Sequence, residues 1–149
     1  MPSVHTTGFL IIALICALAL CSTAVLFLSI RAKARRLARG RALLDAAAFS
    51  ALFPSASQAA VAPVIRDLLK RYISIPPGLV RPDDRLCADL GLAAIDGLDA
   101  NSYVHDVEEA VGVTIPDADA ARMITLRDIV TYVGAATAAR TSNNRWSGP

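Results

Sequence analysis

Residues 89–116 read DLGLAAIDGLDANSYVHDVEEAVGVTIP, and this stretch decides the fold. From residue 98 onward, apolar side chains recur at three- and four-residue steps, while acids occupy the opposite side. That pattern is typical of an amphipathic helix. We predict a helix over 98–111, with Asp96 or Asp99 as its N-cap and Gly112 at its end. Its inward side chains would be Leu98, Val104, Val107 and Val111.

Three further helices are predicted around this one. A helix over about 59–73 carries one apolar stripe: Val61, Val64, Ile65, Leu68, Leu69 and Tyr72. The long loop that follows is turned by prolines, and its apolar side chains would pack inward: Leu79, Val80, Leu86, Leu90 and Leu92. A short helix begins at Pro116. A last helix is capped by Thr125 and buries Leu126, Ile129, Val130 and Val133. Residues 137–149 are predicted to be a disordered tail.

Three pieces in this order resemble an acyl carrier protein. They are Asp89-Leu90-Gly91, VEEAVGVTIPDADA across the end of the second helix, and ITLRDIVTYV in the last. The resemblance covers residues 59–136. It implies an all-α, acyl-carrier-protein-like four-helix bundle. It also implies a serine in Asp-Ser-Leu, at the start of the second helix, that would hold a 4'-phosphopantetheine arm.

The attachment position departs from that family pattern. Counting back from Ile115-Pro116, the segment Asp96-Gly97-Leu98 falls where Asp-Ser-Leu belongs, so Gly97 replaces the serine. Glycine has no hydroxyl with which to form a phosphodiester. The preceding LAAI (92–95) is also longer than the family's usual spacing and is apolar. We therefore expect no cofactor; the alternative is 4'-phosphopantetheine on Ser102, an unorthodox position inside the helix.

Acids of the second helix are the candidate partner-binding residues, because the corresponding helix of carriers recognises basic patches on partner enzymes. They are Asp96, Asp99, Asp106, Glu108 and Glu109. The alternative is that they form an ordinary solvated face.

Residues 59–136 hold twelve acids against seven bases, so nucleic-acid binding is not expected. We find no nucleophile–base pair and no metal-ligand spacing, and His105 is interpreted as a surface residue, so we predict neither an enzyme nor a metal site.

The N-terminal part has a different composition. Residues 8–30 contain no charged side chain, and a helix of that length would cover about 34 Å. No Lys or Arg precedes this run, which argues against a cleaved secretory signal. We predict a single transmembrane helix in the inner or plasma membrane, with the N-terminus outside and the carrier-like domain cytoplasmic. The membrane-proximal bases that set this orientation, and that would meet lipid head groups, are Arg31, Lys33, Arg35, Arg36, Arg39 and Arg41.

Residues 31–53 would then form a basic juxtamembrane helix, and 54–58 a linker. Three functions follow from this organisation. The first is a membrane-anchored docking module that binds a protein with a basic patch and carries nothing. The second is a functional membrane-tethered acyl carrier in lipid or polyketide synthesis. The third is a structural subunit of a membrane complex that makes its contacts through the span.

Overall fold

The computed structural model describes residues 14–22, 24–25, 28–29, 32, 35–37, 39–92 and 98–146. The helices with defined bounds are α1 (Ala46–Ser50), α2 (Ala56–Leu68), α3 (Leu98–Val111), α4 (Asp117–Ala120) and α5 (Leu126–Trp146). Two 3₁₀ turns, Leu69–Arg71 and Pro77–Leu79, lie between α2 and α3. Within these described ranges the only β-type pairing is one isolated bridge, between Arg85 and Thr125. The domain is therefore all-α, as predicted.

The core is formed mainly where α2 packs along α5, with α3 against α2. The predicted stripe of α5 is fully buried, and the predicted inward residues Val80, Leu86, Leu90 and Leu92 are 0–5% exposed. Val107 is also fully buried. Val64 is an exception at 45% exposed, since it lies on the outer side of α2. The side chain of Leu98 lies outside the described residues.

Residues 41–53 contribute two aromatic side chains to the same core. Phe49 of α1 is fully buried, and Phe53 is 6% exposed. Their rings meet edge to face, with centroids 5.5 Å apart. Helix α2 begins at Ala56, inside the 54–58 segment predicted as a linker, because the Ser55 side chain accepts a hydrogen bond from the Gln58 N–H and so caps it.

The predicted membrane span over 8–30 is wrong. Within the part of the chain that the structure describes, no helix combines the length and the apolar character needed to cross a bilayer. Residues 8–13, 23, 26–27 and 30 of the predicted span lie outside the described residues. The predicted single-pass membrane location rested on this span and is wrong with it.

Helix α5 runs on to Trp146, into the segment predicted to be disordered. Ala138 and Ala139 at the start of this extension favour helix, since alanine is the strongest helix former. Arg140 also donates hydrogen bonds to the carbonyls of Val111 and Gly112 at the end of α3. That contact with a distant helix end anchors the extension, and local sequence patterns could not reveal it.

Candidate functional site

The Asp89-Leu90-Gly91 motif forms a tight turn ahead of α3. The Asp89 carboxylate accepts a hydrogen bond from the Arg85 N–H at 3.0 Å, and Leu90 is buried at 3% exposure. Gly91 has a φ of +78°, in the left-handed region that favours glycine. The motif is thus explained by the shape of the turn. Residues 93–97, with the predicted attachment position Gly97 and the predicted acid Asp96, lie outside the described residues.

The turn is attached to the start of α5. The Leu86 N–H donates to the Ile124 carbonyl at 2.9 Å, and the Leu92 N–H donates back to the Leu86 carbonyl at 3.0 Å. Arg127 of α5 contributes a second attachment, since its N–H donates to the Pro82 carbonyl at 2.8 Å. Leu86 and Leu92 are thereby fixed side by side.

These two leucines form one wall of a cavity of about 940 Å³. Helix α3 and the segment from 114 to 123 form the other walls. Its buried apolar lining is Leu86, Leu92, Tyr103, Ile115 and Ile129. Exposed side chains also reach it, among them Cys87, Asn101, His105 and Asp117. The cavity lies beside the first turns of α3 and has the volume of a pocket for a small organic ligand.

Tyr103 fixes α3 to α2, and sequence analysis missed it. Its ring is fully buried, and its hydroxyl donates to the Ile65 carbonyl at 2.8 Å. That carbonyl is available because α2 tightens at its end: the Leu69 N–H donates to the Arg66 carbonyl, one residue closer than an α-helix requires. Burial raises the pKa of the Tyr103 hydroxyl, so this group remains a donor. A tyrosine between Ser102 and Val104 in an apolar stripe is the signal that could have identified it.

Two of the five predicted partner-binding acids are engaged within the domain. Asp106 accepts hydrogen bonds from the Tyr72 hydroxyl at 2.8 Å and the Arg71 guanidinium at 2.7 Å. Those bonds, the tyrosine's first, lower the pKa of the Asp106 carboxyl. Glu108 accepts the Ile115 N–H at 2.6 Å and so ties α3 to the segment that leads into α4.

The other described acids of the predicted partner-binding set are exposed to solvent. Asp99 and Glu109 are exposed, and among the described residues neither takes part in an ion pair. Ser102, the predicted substitute attachment residue, is exposed on the same helix. His105 Nδ1 lies 3.7 Å from a Glu108 carboxylate oxygen, and its side chain is 76% exposed, in keeping with a surface residue.

Some of the predicted membrane-proximal bases are exposed, and one is paired inside the domain. Arg35, Arg36 and Arg39 are exposed. Arg41 instead forms a bidentate ion pair with the buried carboxylate of Asp84, and this reflects a tertiary contact rather than a membrane surface. Arg31 and Lys33 lie outside the described residues. In the described part of the chain, no group of three or more His, Cys, Asp or Glu side chains has the arrangement of a metal site.

Comparison with known proteins identifies several curated relatives. The acyl carrier protein of Campylobacter hominis is 36% identical over 69 residues, which is 46% of this chain and 84% of that protein. Those of Campylobacter curvus and Campylobacter concisus are 34% and 32% identical over 69 residues, and in each case the match covers 86% of the relative. No protein-family model matches the chain.

Proposed function

Because the chain belongs to the acyl carrier protein family, we propose that it is a carrier-fold docking module without a covalent phosphopantetheine arm. The exposed acids of α3 would bind a partner protein through a basic patch on that partner. The module would have no catalytic chemistry of its own.

The missing hydroxyl at residue 97 carries this proposal. The phosphopantetheine of a carrier is esterified to a serine oxygen, and Gly97 has no side-chain atom that could replace it. Ser102 has an oxygen, but it lies five residues further along, inside α3, where the helix would present a modifying enzyme with a different geometry. The apolar LAAI (92–95) before the site also departs from a carrier's spacing.

The charges of α3 support the docking half of the proposal. The carboxylates of Asp106 and Glu108 accept hydrogen bonds from other groups of the domain, whereas Asp99 and Glu109 are exposed. Exposed charges of this kind affect the rate and orientation of encounter more than the final affinity. Each contributes about 0.2–1 kcal/mol to a contact at the rim of an interface.

Intact mass tests the missing arm. The full chain is incubated with coenzyme A and a broad-specificity phosphopantetheinyl transferase, with an ordinary acyl carrier protein in the same tube as positive control. We expect no mass gain on this chain, and modification of the control. A mass gain on this chain would refute the proposal, and its loss in Ser102→Ala would assign the arm to Ser102. A gain only in Gly97→Ser would show that the hydroxyl alone is missing.

Competition tests the docking. An excess of this chain should slow the modification of the ordinary carrier, because it occupies the same transferase without reacting. Asp99→Asn and Glu109→Gln should each weaken this inhibition, by up to about five-fold. Asp67→Asn is the matched control: it removes one exposed acid from α2, where the carboxylate pairs with Lys70. Equal effects of all three changes would indicate net charge rather than a docking face.

One observation favours a second function, that of a genuine carrier modified at an unorthodox residue. A cavity of about 940 Å³ beside the start of α3 is large enough for an apolar chain. A mass gain on the unaltered protein would decide for this function.

A further inference from the structure

Residues 41–45 lie along the long connection between α2 and α3. The Leu44 N–H donates to the Gly78 carbonyl at 2.9 Å, and Arg81 Nη2 donates to the Ala42 carbonyl at 2.6 Å. The fit is close: a Cβ on Gly78 would lie 3.1 Å from the Leu43 side chain and 3.2 Å from the Leu44 carbonyl oxygen. We call residues 41–45 the strap.

The strap is also attached to α2. Arg66 Nη1 donates to the Leu44 carbonyl at 3.0 Å and to the Asp45 carbonyl at 3.4 Å. The Arg66 guanidinium lies 4.4 Å from the centre of the Phe49 ring, and the residue is only 8% exposed. The downstream end of the strap is therefore fixed by a buried side chain.

The upstream end is fixed by Arg41. Its Nη1 and Nη2 donate to the two carboxylate oxygens of Asp84, at 2.6 and 2.9 Å, and Nη1 also donates to the Leu79 carbonyl at 3.2 Å. Asp84 is 5% exposed, and its carboxylate accepts the Arg81 N–H at 2.8 Å as well. A buried carboxylate that loses its cation is left uncompensated in a poorly solvated place, which is costly.

Asp84, whose carboxylate pairs with Arg41, lies two residues before Leu86 of the cavity wall. The neighbouring Asp83 forms a bidentate pair with Arg127 of α5, at 2.6 and 3.1 Å. Two consecutive acids thus attach the loop on two sides, Asp83 to α5 and Asp84 to the strap. The Asp83 pair is exposed and can exchange with water, whereas the Asp84 pair is largely buried.

We propose that Arg41 is a positioning residue for the cavity. Through Asp84 it holds the loop that carries Leu86 and Leu92, so the strap sets how far this wall can move. A change in the direction of the chain before Arg41 is then transmitted to the cavity. This inference does not depend on the proposed docking function.

Amide hydrogen exchange of the full chain tests it, with Arg41→Gln compared against Arg39→Gln. Both changes remove one positive charge, but Arg39 is exposed. In Arg41→Gln we expect exchange at the Leu86 and Leu92 amides to be at least about ten-fold faster, equivalent to about 1.4 kcal/mol of local opening. Exchange at Val107 and Val130 should change far less. Arg39→Gln should leave all four amides unaffected.

Two further variants keep the outcome decisive if Arg41→Gln destabilises the whole domain. Arg41→Lys keeps the charge but loses the bidentate geometry, so it should accelerate amide exchange selectively at Leu86 and Leu92. Asp84→Asn combined with Arg41→Gln should accelerate exchange at these two amides no more than Arg41→Gln alone does, because no buried charge is then left unpaired. Faster exchange confined to residues 42–45, or an equal acceleration at Val130 in Arg41→Lys, would overturn the proposal.

Discussion

Replacing Tyr103 by phenylalanine should destabilise the domain by removing the bond that joins α3 to α2. The change deletes one hydroxyl and leaves the buried ring in place. The lost bond is worth about 0.5–1.5 kcal/mol, and a buried carbonyl left without a donor costs about 1–3 kcal/mol. Ile65 is fully buried, so water does not readily replace the tyrosine hydroxyl. Because the carbonyl is left buried and unpaired, the larger figure applies in place of the smaller, and we expect a loss of about 1–3 kcal/mol in the free energy of unfolding.

Urea denaturation is the appropriate measurement, with the midpoint expected to fall at an unchanged m-value. Tyr72→Phe is the matched control. It also deletes one tyrosine hydroxyl, on a ring that meets the Tyr103 ring edge to face with the centroids 5.7 Å apart. The Tyr72 hydroxyl, however, donates to the Asp106 carboxylate, which is accessible to water. A loss in Tyr103→Phe no larger than in Tyr72→Phe would refute the reasoning that burial makes this hydroxyl important.

Three further changes test other contacts. Gly134→Ala should destabilise by about 1–3 kcal/mol in thermal unfolding despite alanine's better helix propensity, because the added Cβ would lie 2.7 Å from Gln58 Cγ and 3.0 Å from its Cα. Asp128→Ala should cost about 0.5–2 kcal/mol in urea denaturation, since this carboxylate caps the start of α5. Asp106 has a pKa lowered below its ordinary 3.8, so its stabilisation is present above that pH and is lost as the pH falls through the folded-state value. In acid titrations of stability, the difference between the unaltered chain and Asp106→Asn should therefore shrink as the pH falls below about 3.8.

Sequence patterns predicted the parts of the fold that depend on neighbouring residues. The stripe of α5, the buried leucines of the long loop and the glycine end of α3 at Gly112 agree with the structure, where Gly112 has a φ of +65°. Each is a property of a few consecutive residues: side-chain periodicity for burial, and the absence of a Cβ for a positive φ. The same patterns wrongly predicted a membrane span over 8–30, since no helix among the described residues has both the length and the apolar character to cross a bilayer.

In the candidate site, too, the sequence determined some features and the tertiary structure determined others. The lack of a hydroxyl at Gly97 is a fact of the sequence alone, and so is the acidic character of α3. Which acids remain available was decided by partners far along the chain: Arg71 and Tyr72 reach Asp106 across 35 and 34 residues. Arg41 finds Asp84 across 43 residues, which turned a predicted membrane-proximal base into a contact of the domain. Pairings at such separations depend on how helices pack, and no local period encodes them.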